Sequence, residues 1–213
     1  MQLRLTEIFY SLQGESSSVG RPTVFVRLTG CPQRCVWCDT EYAFSGGSLM
    51  TLDNILSEVA TYQPPCVTVT GGEPLAQPNC RPLLVKLCDA GYQVSLETGG
   101  AMDIADIDPR VSIVMDLKAP GSGEQHNNRL ANIPLLRRAD QLKFVIADRK
   151  DYDWARFMLD QHQLMDRVTE VLFSPVHGSL PAADLADWIL QDRLPVRFQL
   201  QLHKLLWNDA RGR

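Results

Sequence analysis

The chain has no run of apolar residues near the roughly 20 that a membrane-spanning helix needs, and no repeated or low-complexity segment. Positive charge is scarce as well: 21 Lys and Arg face 25 Asp and Glu, for a formal net charge of −4. Nucleic-acid binding needs Lys and Arg clustered on one surface, so that class is excluded, and the pair Arg137-Arg138 reads as a solvated face. A second CxxC-like knuckle, or a His pair to complete a zinc finger, is missing too. No signal peptide is expected at the N-terminus, which makes disulfides the weaker use of the six cysteines. The expectation is a soluble cytoplasmic protein with reduced thiols. A single domain over residues 1–213 is large enough to build its core without cross-links.

Three of the cysteines stand together, in Cys31-Pro32-Gln33-Arg34-Cys35-Val36-Trp37-Cys38. Soft thiolates suit iron, and a cubane iron–sulfur cluster held wholly by protein takes four of them. A trio with no neighbouring fourth reads as a cluster with one iron left for an external ligand. On spacing alone a structural zinc site stays open, with Cys66, Cys80 or Cys88 as a distant fourth donor.

Strand-like and helix-like segments alternate along the chain. β-Rich runs occupy 23–29, 66–70, 92–97, 111–116, 142–147, 168–174 and 196–202. Residues 51–62 carry Leu52, Ile55, Leu56 and Val59 on one helical stripe, with Thr51 as N-cap. Leu83, Leu84, Leu87 and Cys88 form a second stripe ahead of a capping Gly91. Later helices are expected at 151–165 and 181–191, and the polar, Gly- and Asn-rich residues 119–134 read as a loop or lid. About seven strands alternating with helices imply an α/β fold: an incomplete TIM-like (β/α) barrel of parallel strands with outer helices, since a complete one takes about 250 residues. A doubly wound open sheet is the competitor.

In either architecture ligands bind where strands end. Five unusual segments stand there: the cysteine loop, taken as 30–47; Thr70-Gly71-Gly72-Glu73-Pro74; Glu97-Thr98-Gly99-Gly100; Asp116-Leu117-Lys118; and Ser174-Pro175-Val176-His177-Gly178. Loops that open onto one rim make one site. Gly71-Gly72 brings bare backbone close to a ligand, and Glu73 can hold an ammonium group beside it. In 23–29, Phe25, Arg27 and Thr29 share a face, which sets Arg27 beside the cysteine loop to grip a carboxylate in bidentate fashion.

Together the cysteine loop and the Gly-Gly-Glu-Pro turn resemble the radical S-adenosylmethionine (SAM) enzymes. That resemblance implies a [4Fe–4S] cluster on Cys31, Cys35 and Cys38, its open iron chelated by the amino and carboxylate groups of SAM. It also implies contacts from Gly72 and Glu73 to the methionine moiety. Trp37 falls where the family often has an aromatic that shields the cluster or packs near adenine. The run Glu7-Ile8-Phe9-Tyr10-Ser11-Leu12-Gln13-Gly14-Glu15 resembles the 7-carboxy-7-deazaguanine synthases. So do Arg27, Cys38-Asp39-Thr40, Glu97-Thr98-Gly99, Asp116-Leu117-Lys118, Ser174-Pro175 and Gln199-Leu200-Gln201-Leu202-His203-Lys204, and the similarity runs over essentially the whole chain.

The reaction implied is a carbon–nitrogen lyase step that converts 6-carboxy-5,6,7,8-tetrahydropterin to 7-carboxy-7-deazaguanine with loss of ammonia, on the route to queuosine and related deazapurines. Implied substrate contacts are Leu12, Gln13, Gly14, Glu15, Arg27, Thr70 and His203. Implied SAM contacts, besides Gly72 and Glu73, are Asp116, Leu117, Lys118, Ser174 and His177. The Thr40 hydroxyl is implied as a Mg²⁺ ligand. His203 is favoured among the histidines because it follows Gln199 and Gln201 on the polar face of 196–202. The resemblance further implies an external electron donor such as flavodoxin or ferredoxin, a homodimer, and no conventional general acid or base, because a cofactor-derived radical does the chemistry. Two features depart from the family. Gly99 stands where Asn is frequent, and the chain runs on through Asn208-Asp209-Ala210-Arg211-Gly212-Arg213, where some members end in a carboxylate that binds substrate. The rivals are a glycyl-radical-enzyme activating enzyme, which would dock a protein partner, and a non-catalytic zinc-binding module.

Overall fold

A computed structural model describes residues 1–208 and 210–213. Its strands are β1 (Gln2–Leu12), β2 (Pro22–Leu28), β3 (Ser48–Thr51), β4 (Cys66–Gly71), β5 (Gln93–Thr98), β6 (Ser112–Asp116), β7 (Gln141–Ile146), β8 (Glu170–Pro175) and β9 (Arg197–Phe198). The helices are α1 (Leu52–Thr61), α2 (Cys80–Asp89), α3 (Arg149–Gln161), α4 (Leu164–Arg167), α5 (Ala182–Gln191) and α6 (Leu202–Trp207). All strands join one sheet in the order β3-β1-β2-β4-β5-β6-β7-β8-β9. From β2 to β9 every pairing is parallel, while β1 runs antiparallel to both its neighbours. The sheet does not close, so the expected partial barrel is what forms. None of the helices among the described residues is long and apolar enough to cross a membrane.

Strand parity divides the sheet into two chemistries. Val24, Val26, Leu28, Val67, Val69, Leu96, Met115, Leu142, Phe144 and Phe173 are buried on the helix-covered face. The alternate residues Phe25, Arg27, Thr70, Glu97, Asp116 and Lys143 line a cavity on the other face. Side chains alternate across a strand, so one apolar set builds the core while the set between builds the site. Thr51 caps α1 by accepting from the Asn54 N–H, as its sequence position implies.

Four elements differ from the sequence reading. β1 escapes the period-two pattern because the register shifts between Leu5 and Glu7. Leu3 and Leu5 face the core before that bulge, and Phe9 faces the cavity after it. β3 is a four-residue edge strand, too short to show a period. The expected helix at 151–165 starts at Arg149, where Asp148 caps it, and breaks at Gln163, whose φ of 49° is left-handed.

The expected strand at 196–202 contracts to Arg197–Phe198 because the N-terminal loop captures the backbone beyond it. Ser16 N–H donates to Gln199 Oε1 at 2.7 Å, and Gln199 Nε2 donates to Ser16 O at 2.8 Å. Leu202 N–H donates to Gly14 O at 2.9 Å, and α6 begins there. Ser17 N–H donates to Gln141 Oε1 at 2.7 Å. Side-chain amides therefore span the mouth of the open barrel where strand pairing stops.

Gly71 has φ +147°, and a Cβ there would lie 2.2 Å from Leu28 O. Backbone cannot retreat by that distance without tearing the β2–β4 ladder. Gly71→Ala should therefore lose about 3 kcal/mol of unfolding free energy in urea titrations. Gly46→Ala, at φ +81° but with nothing within 4 Å, should lose only about 1–2 kcal/mol.

Candidate active site

The cysteine loop leaves the end of β2 and is tied down on both sides. Gly30 N–H donates to Ala43 O at 2.8 Å, closing its base. Glu73 N–H donates to Gly30 O at 2.8 Å and Gly72 N–H to Leu28 O at 3.1 Å, which sews it to the turn after β4. On the outer side the segment 119–134, folded into 3₁₀ turns, holds it: Val36 N–H donates to Ser122 O at 3.0 Å and Arg34 N–H to a Glu124 carboxylate oxygen at 2.8 Å. The Arg34 guanidinium stacks 4.3 Å over the Phe44 ring.

Cys31, Cys35 and Cys38 are unpaired and half-buried, and all line one cavity of about 530 Å³. Burial raises all three thiols, and the Lys118 ammonium opposes that rise at each. Among the described residues no three His, Cys, Asp or Glu side chains converge tightly enough to hold one metal ion. Cys66, Cys80 and Cys88 are buried in β4 and α2, outside the cavity lining. Three thiols lining one cavity, without a fourth, fit the corners of a multi-iron cluster rather than a single zinc ion.

The Gly-Gly-Glu-Pro turn has a job within the fold as well as any toward a ligand. A Cβ on Gly72 would stand 2.2 Å from Gly30 O and 2.8 Å from the Cys31 Cβ, so glycine lets the two loops touch. Glu73 is fully buried. Its carboxylate accepts from the Leu75 N–H at 3.0 Å, the Gly99 N–H at 2.8 Å and the Thr98 hydroxyl at 2.9 Å. Burial raises its pKa in spite of these donors. The residue thus staples three loops, its side chain holding the end of β5 and its N–H the cysteine loop, and Glu73 itself is not among the residues that line the cavity.

The cysteines share the cavity with a cluster of charged side chains. Lys143, on β7, lies 2.5 Å from a Glu15 oxygen and 3.4 Å from Asp116, and Lys118 lies 3.0 Å from Asp116. Burial alone would push Glu15 up, but Lys143 and a hydrogen bond from Gln201 hold it below the ordinary carboxylate range. Asp116 is likewise lowered, burial being outweighed by Lys118 and Lys143. Glu97 goes the other way: burial and the nearby Glu15 charge raise it, although Thr70 and Gln13 donate to its oxygens at 2.9 and 3.1 Å. Asp116 Oδ1 is buried with no hydrogen-bond partner, an acceptor open to a donor in the cavity.

Leu12, Gln13, Gly14, Glu15, Arg27, Thr40, Thr70, Gly72, Asp116, Lys118, His177 and His203 all line this cavity with the three cysteines and Trp37. Arg27 is oriented by its Nε–H bond to Glu7 at 2.8 Å, and the Tyr42 hydroxyl donates to the same Glu7 oxygen. Thr40 Oγ donates to Asp39 at 2.8 Å. His203 stands on α6 rather than on a strand, 3.8 Å from Asp39. Its ring occupies the space a Cβ on Gly14 would need. Leu117 is buried in the core with its N–H bonded to Lys143 O, and Ser174 is buried at the end of β8 with its hydroxyl unpartnered. Neither is among the lining residues. Of the tail, Arg211 stacks 4.2 Å over the Tyr42 ring and Arg213 lines the cavity, while Asp209 lies outside the described residues.

Sequence reasoning assigned no role of their own to Lys143, Glu97, Gln33, Asp39 and Gln201, although Glu97, Asp39 and Gln201 stood within segments it singled out. A signal existed for the first two. In Gln141–Ile146 and Gln93–Thr98, Lys143 and Glu97 are charged residues inside parallel strands, where apolar residues are the rule.

Residues 25–117 match the Radical SAM superfamily model. A 7-carboxy-7-deazaguanine synthase from Chlorobaculum tepidum is 48% identical, covering 99% of this chain and 97% of its own length. One from Koribacter versatilis is 43% identical, covering 97% of each. The crystal structure of QueE from Escherichia coli superposes with a TM-score of 0.78 at 21% identity, covering 95% of each chain, and so shares the fold. The activase and zinc-module readings find no support among these relatives.

Lys143→Met would leave Glu15 buried without its cation, and should cost about 4 kcal/mol at pH 7 by urea unfolding. In the parent, Glu15 is depressed, so its contribution is full at neutral pH and is lost as pH falls through its folded value. Without Lys143, burial alone raises Glu15 above its unfolded value, and protonation then relieves the cost. The stability gap between variant and parent should therefore narrow from pH 7 to pH 5.

Proposed function

We infer from a chain that belongs to the 7-carboxy-7-deazaguanine synthase family, within the radical SAM superfamily, that its cavity converts 6-carboxy-5,6,7,8-tetrahydropterin to 7-carboxy-7-deazaguanine with loss of ammonia. The observation that carries this reading is one cavity lined both by three cluster-spaced thiols and by carboxylates paired with cations. Cys31, Cys35 and Cys38 would hold the [4Fe–4S] cluster, and bound cluster and SAM supply one-electron radical chemistry. Gly72 and the Glu73 backbone would meet the methionyl end of SAM. Asp116, Lys118 and His177 line the same side, and Leu117 and Ser174 would act through backbone or through an unpartnered hydroxyl.

Residue chemistry suits the pterin. Arg27, held through Nε, can present its remaining N–H groups to the substrate carboxylate in bidentate fashion. Glu15 and Glu97 are acceptors for the amine and ring N–H groups of an aminopyrimidinone, Gln13 and Thr70 fix Glu97, and Leu12 and Gly14 form the floor beneath. His203 is positioned by Asp39 to donate to a substrate oxygen. The Thr40 hydroxyl would supply one oxygen to Mg²⁺, which keeps substrate oxygens and waters for its other positions. The activity is then that of a carbon–nitrogen lyase of the cytoplasm, fed by an external donor such as flavodoxin or ferredoxin and expected to be a homodimer.

Anaerobic incubation of the iron-loaded protein with carboxytetrahydropterin, SAM, Mg²⁺ and a strong reductant should yield an ultraviolet-absorbing deazapurine and ammonia. Absence of both, with SAM intact, would falsify the assignment. Arg27→Met should raise KM for the pterin at least about tenfold and leave SAM affinity unchanged.

A further inference from the structure

We propose that Gln33, between the first two cysteines of the loop, is a positioning residue for SAM, its side-chain amide donating to the SAM carboxylate. This deepens the reading of the cavity as a SAM site and rests on it. Gln33 is 3% exposed yet lines the cavity, and its Nε2 has no hydrogen-bond partner. A buried amide N–H is costly to leave unpaired, and a bound acceptor removes that cost. Of the unpartnered buried polar atoms among the described residues, the one other that belongs to a cavity-lining residue is Asp116 Oδ1. One is a donor and the other an acceptor, a complement for a group that carries both an anion and an ammonium. The carboxylate is the one anionic group that SAM offers, and hydrogen bonds to charged acceptors are the strong ones.

Position 99 explains why the amide stands where it does. A Cβ on Gly99 would lie 2.2 Å from Gln33 Oε1 and 3.4 Å from Glu73 Oε2. A side chain at 99 and the Gln33 amide therefore compete for one volume beside the Gly-Gly-Glu-Pro turn. Gly99 is not among the residues of positive φ, and the close contact of a Cβ there is with Gln33.

The test uses the anaerobically reconstituted full chain, with SAM affinity from equilibrium dialysis, the electron paramagnetic resonance of the reduced cluster with and without SAM, and iron and sulfide content as control. Gln33→Met keeps the length and removes the donor. It should weaken SAM about tenfold and diminish the SAM-induced spectral change, at parental iron content and unchanged pterin affinity. Gln33→Ala should behave alike, and adding Gly99→Asn to it should recover most of the lost affinity by returning an amide to the shared volume. Parental SAM affinity in Gln33→Met overturns the proposal, and so does absence of recovery in the double variant. Loss of the cluster in both single variants also overturns it, since Gln33 would then be a packing residue of the loop. A parent that binds SAM but forms no deazapurine sinks the assigned reaction and leaves Gln33 to be judged on affinity.

Discussion

Between the end of β2 and the turn after β4, main chain meets main chain at a distance no side chain would permit. Cβ atoms at 71 and 72 would stand 2.2 Å from Leu28 O and from Gly30 O. Because both are glycine, the ladder runs on past the strands through the Gly72 and Glu73 N–H groups. That contact fixes Cys31 against the turn. Glu73, anchored by the same turn, reaches across to Thr98 and Gly99, and so sets the end of β5 in relation to the cysteine loop. Three strand ends are thereby held in one frame, and the thiols inherit it.

Within that frame the charges are uneven. Glu15, Glu97 and Asp116 face Lys118 and Lys143 at the cavity wall, and the cations lower Glu15 and Asp116 while Glu97 is raised. A buried carboxylate without a full partner either keeps a proton or waits for a donor. Glu97, held by Thr70 and Gln13 in a fixed pose, is such an acceptor, and a ligand rich in N–H groups answers it. Asp116 ties the two halves together, since it bonds Lys118 on the cysteine side and lies near Lys143 on the other.

Much of this is legible in the order of the amino acids, for physical reasons. Parallel strands read as apolar runs, so β2 and β4 to β8 stand out, and loops at their ends have to converge. Arg27, Thr70 and Asp116 fall on the cavity side by parity along a strand. What escapes such reading depends on distance along the chain. The bulge in β1 flips its faces without any marker residue, and the turn of 199–202 into α6 is imposed by Gly14 and Ser16, more than 180 residues away. Lys143 shows as a charge inside a parallel strand but its pairing with Glu15 does not, and Gln33 acquires meaning only beside Gly99. Pairings of that kind leave no trace in spacing.

The bridge across the barrel mouth carries a consequence for how the protein comes into being. Ser16 is bound by Gln199 and Gly14 by Leu202, so the wall that holds Glu15 in place is completed by residues more than 180 positions further along the chain. Contacts of such high order form late and slowly. Cys31, Cys35 and Cys38 are thus synthesised well before the residues that complete the cavity beside them. The frame around Glu15 is therefore complete only once residue 199 has joined residue 16, and no local stretch of chain can build it alone.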